Sequence, residues 1–106
     1  MNDKHYDAAD LLSRLPEENP DELLPAIRKQ FLASSRTLVV LDDDPTGTQT
    51  CYDVVVLTDW NTSLLVEELR KKPSIIFILT NSRSVSAEKA TAIAHDIGKN
   101  LIEATK

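Results

Sequence analysis

Glycine is almost missing from this sequence. Only Gly47 and Gly98 occur in its 106 residues, so neither the GxGxxG turn nor the GxxxxGK[ST] loop that cradles nucleotide phosphates is present. A single cysteine, Cys51, excludes an internal disulfide and any cysteine-based zinc cluster. Basic charge is in short supply too. Twelve Lys and Arg face 17 Asp and Glu, leaving a net charge of −5 and a pI near 4.9, which argues against nucleic acid or an anionic membrane as partner. The deficit is spread along the chain, with 7 acids and 5 bases in residues 1–36 and 10 and 7 in residues 37–106, so neither part is a charged tail. No apolar run approaches the roughly 20 residues of a membrane-spanning helix. The opening MNDKHYDAAD lacks the apolar core of a signal peptide. These absences make a reducing, cytoplasmic environment the default reading.

What is present alternates between helical and strand patterns. Tyr6, Ala8, Ala9, Leu11, Leu12 and Leu15 predict a short, weakly amphipathic helix over 6–15. Asn19, Pro20 and Glu22 supply an N-cap, a first-turn proline and an N3 acid for a second helix over 20–33, with Leu23, Leu24, Ile27 and Phe31 on one face. Ser34, Ser35 and Arg36 end it. Residues 37–41, 54–58 and 74–80 read as buried strands, the last (SIIFILT) being the most apolar run in the chain. Between them, Asn61-Thr62-Ser63 can cap a helix over 63–72 with Leu64, Leu65 and Leu69 facing inward, stopped by Pro73. Ser86 caps a final helix over 87–104, whose inward face is Ala90, Ile93, Ala94, Ile97 and Leu101. Strand and helix at this spacing predict an α/β fold: a small, parallel-sheet, Rossmann-like three-layer unit over 37–106 behind a helical leader over 1–36. The chain stops at Lys106 with no closing strand, so the unit reads as incomplete.

The chemistry gathers where two strands end. Leu38-Val39-Val40-Leu41 runs into Asp42-Asp43-Asp44-Pro45-Thr46-Gly47-Thr48-Gln49-Thr50. Ligands of open α/β sheets bind outside the carboxyl ends of the strands, and three adjacent carboxylates repel one another unless a cation, hydroxyl or phosphate uses them. Gly47 would let backbone N–H groups turn toward a ligand oxygen, with the hydroxyls of Thr46, Thr48 and Thr50 in reach. An ordinary acidic turn has similar composition. The 74–80 strand ends in Asn81-Ser82-Arg83-Ser84. Arg83 has the planar fork that grips a carboxylate or phosphate, or it neutralises the acids by pairing with Asp43 or Asp53. Asn81, Ser82 and Ser84 could bind hydroxyls or merely cap the next helix. If the two strands run parallel as neighbours, both loops open onto one cleft.

The other candidates read as structural. His5 and His95 have no partner motif. Trp60, Phe31 and Phe77 are better placed for a core than for stacking on a ligand, and Cys51 lacks the cationic neighbours that activate a nucleophilic thiol.

LVVLDDDPTGTQT, followed by Asp53-Val54 and Val56-Leu57-Thr58-Asp59-Trp60, resembles the N-terminal domain of the four-carbon acid sugar kinase family, and ILTNSRS at 78–84 resembles that family's second signature. The LLSRLPEENPDELLPAIRKQF segment is similar to the helical leader of its longer members, so the likeness covers nearly the whole chain. Cys51-Tyr52 depart from it, standing where an apolar residue and a histidine are expected. The resemblance implies a domain that holds a threonate- or erythronate-type sugar acid for ATP- and Mg²⁺-dependent phosphorylation, with the nucleotide site in a separate C-terminal lobe. It implies Asp43 and Asp44 as the catalytic pair, one orienting or deprotonating the attacking hydroxyl. Asp42, Thr46, Gly47, Asn81, Ser82 and Arg83 would bind substrate, Arg83 on its carboxylate. Members are several times longer than this chain, which implies weak substrate binding and no phosphate transfer by the 106 residues alone. A C-terminal lobe or a second copy is the implied partner.

Two other classes compete. Asp42-x-Asp44-x-Thr46 after an apolar strand also resembles the first motif of haloacid-dehalogenase-type phosphatases, with FILT80 as the second. Asp42 would then be the nucleophile, Asp44 the acid/base and Mg²⁺ the bridge to phosphate. The third class is a non-enzymatic remnant whose exposed edge recruits a partner.

Overall fold

The computed structural model describes residues 4–49 and 51–106. Its elements, in chain order, are α1 (Ala8–Ser13), α2 (Leu23–Ser34), β1 (Leu38–Asp42), β2 (Val55–Leu57), α3 (Thr62–Arg70), β3 (Ile75–Leu79) and α4 (Ala87–Ala104), with a 3-10 turn at Ser82–Ser84. The three strands form one parallel sheet in the order β1-β3-β2. This is the expected α/β fold behind a helical N-terminus.

Alternation along the central strand decides which side is packed. Ile76 and Ile78 are buried with Leu57, Leu65 and Ile97, and Val39, Trp60, Leu64, Leu69, Ile93, Leu101 and Ala104 pack around them. Thus α3 and α4 share one face of the sheet. Each of the four fully buried side chains, Leu65, Ile76, Ile78 and Ile97, stabilises the fold by about 1.5–3 kcal/mol. Phe77 alternates to the opposite face, in register with Val40 and Val56. On that side Leu38 and Val56 are exposed. The described residues therefore build two of the three expected layers.

The caps explain the helix starts. Asn61 accepts the Leu64 N–H at 2.9 Å and Ser86 accepts the Lys89 N–H at 3.3 Å, so α4 occupies its expected span, although Ala94 is exposed rather than inward. The α2 start differs. Asn19 Oδ1 accepts the N–H of Asp21, two residues on, at 3.0 Å. That contact closes an Asx turn instead of capping a helix, and α2 begins at Leu23 behind Glu22, which makes no side-chain cap bond. At the other end Ser35, left-handed at φ 52°, closes α2. Leu23, Leu24, Ile27 and Leu32 are all exposed, so the apolar face of α2 is not buried as its periodicity predicts. The radius of gyration is 19.5 Å, against about 13 Å for a compact chain of this length.

Two consequences position the site. Neighbouring β1 and β3 are parallel, with Asp42 opposite Leu79, so both emerge at the same rim. From that rim β3 feeds α4, which joins the core, whereas none of the described residues in the β1–β2 connection takes part in it. In open α/β sheets, ligands bind in the crevice outside such strand ends.

Gly98 lies within α4, and a Cβ there would meet nothing within 4 Å. Gly98→Ala is expected to raise stability by about 1 kcal/mol through helix propensity alone, checked by thermal or urea unfolding against the parent chain.

Candidate functional site

The crevice is stapled by backbone first. The Thr80 N–H donates to the Asp42 carbonyl at 2.8 Å, and the Arg83 N–H donates to the Asp43 carbonyl at 3.2 Å. The Thr80 hydroxyl lies 3.1 Å from the Asp42 carbonyl and 2.9 Å from Ser82 Oγ. Thr80 therefore clasps the two loops together. Sequence reasoning placed it at the end of a strand and within the ILTNSRS and FILT80 resemblances, without this clasping role; a hydroxyl closing an otherwise apolar strand was the available signal.

The three acids have three different surroundings. Asp42 is 9% exposed, and its Oδ1 accepts the Asp44 N–H at 3.2 Å. It is turned into its own loop, against Gly47. A Cβ on Gly47 would overlap both Asp42 carboxylate oxygens, and no glycine in the described residues has a positive φ. Gly47 is thus needed for space and not, as expected from the sequence, for an unusual backbone turn.

Asp44 is the most tightly held of the three carboxylates. Its Oδ1 accepts both the Thr46 N–H (2.8 Å) and the Thr46 hydroxyl (2.7 Å), while Oδ2 accepts from Arg83 Nη1 at 2.9 Å. The backbone and hydroxyl bonds from Thr46, with the nearby Arg83 charge, hold its pKa below the ordinary carboxylate value of 3.8. A carboxyl so stabilised as its anion is a weak proton acceptor, suited to orienting a hydroxyl rather than deprotonating it.

Asp43 faces the other side of the same guanidinium. Arg83 Nη2 donates to its Oδ1 at 3.1 Å and Nε reaches Oδ2 at 3.4 Å. Arg83 thus bridges Asp43 and Asp44, and Asp53 is not its partner. This realises the neutralising role foreseen for Arg83, with one different acid. The whole fork is engaged by carboxylates of the β1 loop.

Asn81 adopts a left-handed conformation at φ 50°, which Asn tolerates better than most residues. Its carbonyl accepts the Ser84 N–H at 3.2 Å and the Ser84 hydroxyl at 2.8 Å. Ser82 is tied to Thr80. All eight sequence-derived site residues therefore sit on the two loops of one rim. Asp42 and Gly47 shape the loop from beneath, whereas Asp43, Asp44 and Arg83 make up its charged surface. Thr50 lies outside the described residues. Tyr52 and Cys51 are exposed on the same connection.

Among the described residues no group of three His, Cys, Asp or Glu side chains is placed to hold a metal ion. With two glycines the sequence holds neither a GxGxxG nor a GxxxxGK[ST] loop. A groove of about 820 Å³ lies at the opposite, amino-end rim, lined by Thr37, Val39, Leu69, Leu101 and Ala104 among others. Its Lys106 and Glu103 are paired with each other at 2.6 Å. The convergent polar chemistry is at the carboxyl-end rim, and the site is assigned there.

Gly47→Ala should displace the Asp42 carboxylate and cost about 1–3 kcal/mol, read as a lowered unfolding midpoint. Because the Asp44 pKa is depressed on folding, its contribution is present above about pH 4 and lost as pH falls further. Asp44→Asn should therefore destabilise the chain at neutral pH and flatten the acid limb of its stability profile, measured by unfolding at a series of pH values.

No match is found among curated proteins or among solved structures. A family model does match, that of the sugar-binding N-terminal domain, over residues 38–106. The matched segment starts with β1 and takes in the whole sheet, both packed helices and both loops of the charged rim. The chain belongs to the sugar-binding N-terminal domain family.

Proposed function

We propose that the Asp43, Asp44 and Arg83 rim binds a short sugar acid of the threonate or erythronate type, as the substrate-holding part of a phosphotransferase. The observation that carries the reading is Arg83, delivered by the β3 loop to the carboxylates of the β1 loop within a sugar-binding domain. A guanidinium grips a ligand carboxylate in two-point fashion, and aspartates accept sugar hydroxyls. A molecule carrying both groups on adjacent carbons addresses both sides of the cluster. Asp44, already fixed by Thr46, supplies a rigid acceptor that orients one hydroxyl, and the loop backbone keeps its distance from Arg83 constant.

Phosphorylation of that hydroxyl uses ATP and Mg²⁺ in the resembling kinases. No step through them is derived from this chain. The nucleotide site is proposed to lie in a separate lobe, and phosphate transfer from ATP by the pure 106-residue chain would overturn that division.

Titration with erythronate and threonate, each compared with the corresponding neutral tetritol, tests the binding reading. The acids are expected to bind more tightly than the tetritols, and Arg83→Gln is expected to weaken them by roughly 10-fold or more, the size of a hydrogen-bonded charge contact. Equal affinity for acid and tetritol, or an unchanged affinity in the variant, would refute it.

A further inference from the structure

Resting on the sugar-acid reading, we infer that Asp43 is an internal stand-in for the ligand carboxylate: it occupies the Arg83 fork in the free protein and is displaced when the sugar acid binds. The two carboxylates on Arg83 are not equivalent. Asp43 approaches the side formed by Nε and Nη2, the two-point face that carboxylates favour. Asp44 takes only Nη1.

They also differ in how freely they can leave. The Asp43 side chain is 54% exposed and Arg83 is its ion-pair partner; Asp44 is 25% exposed and is tied down by two bonds from Thr46. Departure of Asp43 requires side-chain rotation alone, since the Arg83 N–H holds its backbone carbonyl. Asp44 stays and keeps Arg83 aimed at the crevice.

The exchange trades one exposed carboxylate–guanidinium pair for another. It leaves Asp43 in solvent beside the newly bound ligand, free to accept one of its hydroxyls. Affinity for a sugar acid is thereby held down by competition from within the chain, while a neutral polyol, which has no claim on the two-point face, escapes that competition. The site filters for ligands able to replace a carboxylate.

Calorimetric titration of erythronate and erythritol into the parent chain, Asp43→Asn and Asp53→Asn tests this. Asp43→Asn removes the competitor and keeps an acceptor oxygen. Asp53→Asn removes the same unit of charge away from Arg83, at a left-handed position (φ 56°) that Asn tolerates. Erythronate is expected to bind Asp43→Asn roughly 2- to 5-fold more tightly than the parent, the size of one exposed ion pair, with the Asp53→Asn affinity close to the parent's. Erythritol binding should be indifferent to Asp53→Asn and should show no gain with Asp43→Asn. If the parent binds erythronate and Asp43→Asn binds it no better, or if Asp53→Asn gives the same gain, the displacement is refuted while the sugar-acid reading stands. If neither the parent nor Asp43→Asn binds erythronate, both are refuted.

Discussion

Everything functional in this molecule depends on one pairing, the parallel register of β1 against β3. With Asp42 opposite Leu79, the next residue of each strand has to leave the sheet at the same rim. The Thr80 N–H to Asp42 carbonyl bond extends the ladder one step past the strands. A slip of one residue would turn Asp42 from its pocket and send the apolar side chains of β1 to the wrong face. The hydrophobic pattern that fills the core with Ile76 and Ile78 is thus the same pattern that aims the acids. Stability of the sheet and placement of the site are one constraint.

The rim is built from below. Asp42 and Gly47 fit together only because one has no side chain, and this lets the loop fold tightly enough to bring the Asp44 N–H onto Asp42. Thr46 then fixes Asp44, Asp44 and Asp43 fix Arg83, and the Arg83 backbone returns to Asp43. The carboxylates do not repel one another apart because each has its donors, two of them sharing one arginine. Asp42 uses backbone, Asp44 uses Thr46 and arginine, and Asp43 uses arginine.

Much of this was legible in the sequence for identifiable reasons. Caps are local, so Asn61 and Ser86 announced α3 and α4 correctly. Strand runs bounded by acids and by Pro73 gave the order of elements, and the rule that ligands sit at strand ends singled out both loops. What stayed hidden were relations between distant residues. Nothing local says that Arg83 would bridge Asp43 and Asp44 across some 40 positions and pass over Asp53. Thr80 as a clasp has the same character. Gly47 was read through its backbone freedom, when its missing Cβ is what the packing demands. At α2, periodicity showed which face is apolar but not that Leu23, Leu24 and Ile27 would remain uncovered. The Asn19 cap failed because its oxygen found a nearer N–H.

The strand order has a further outcome at the flanks. β3 is hydrogen-bonded on both sides, whereas β1 and β2 each have a partner on one side only among the described residues. Their outward amides and carbonyls, set beside Leu38, Leu41, Val55 and Val56, are templates for lateral strand addition, long at five-residue β1 and short at three-residue β2. In concentrated solution such flanks zip onto other extended chains, so self-association should grow with protein concentration even where the charged rim stays fully hydrated.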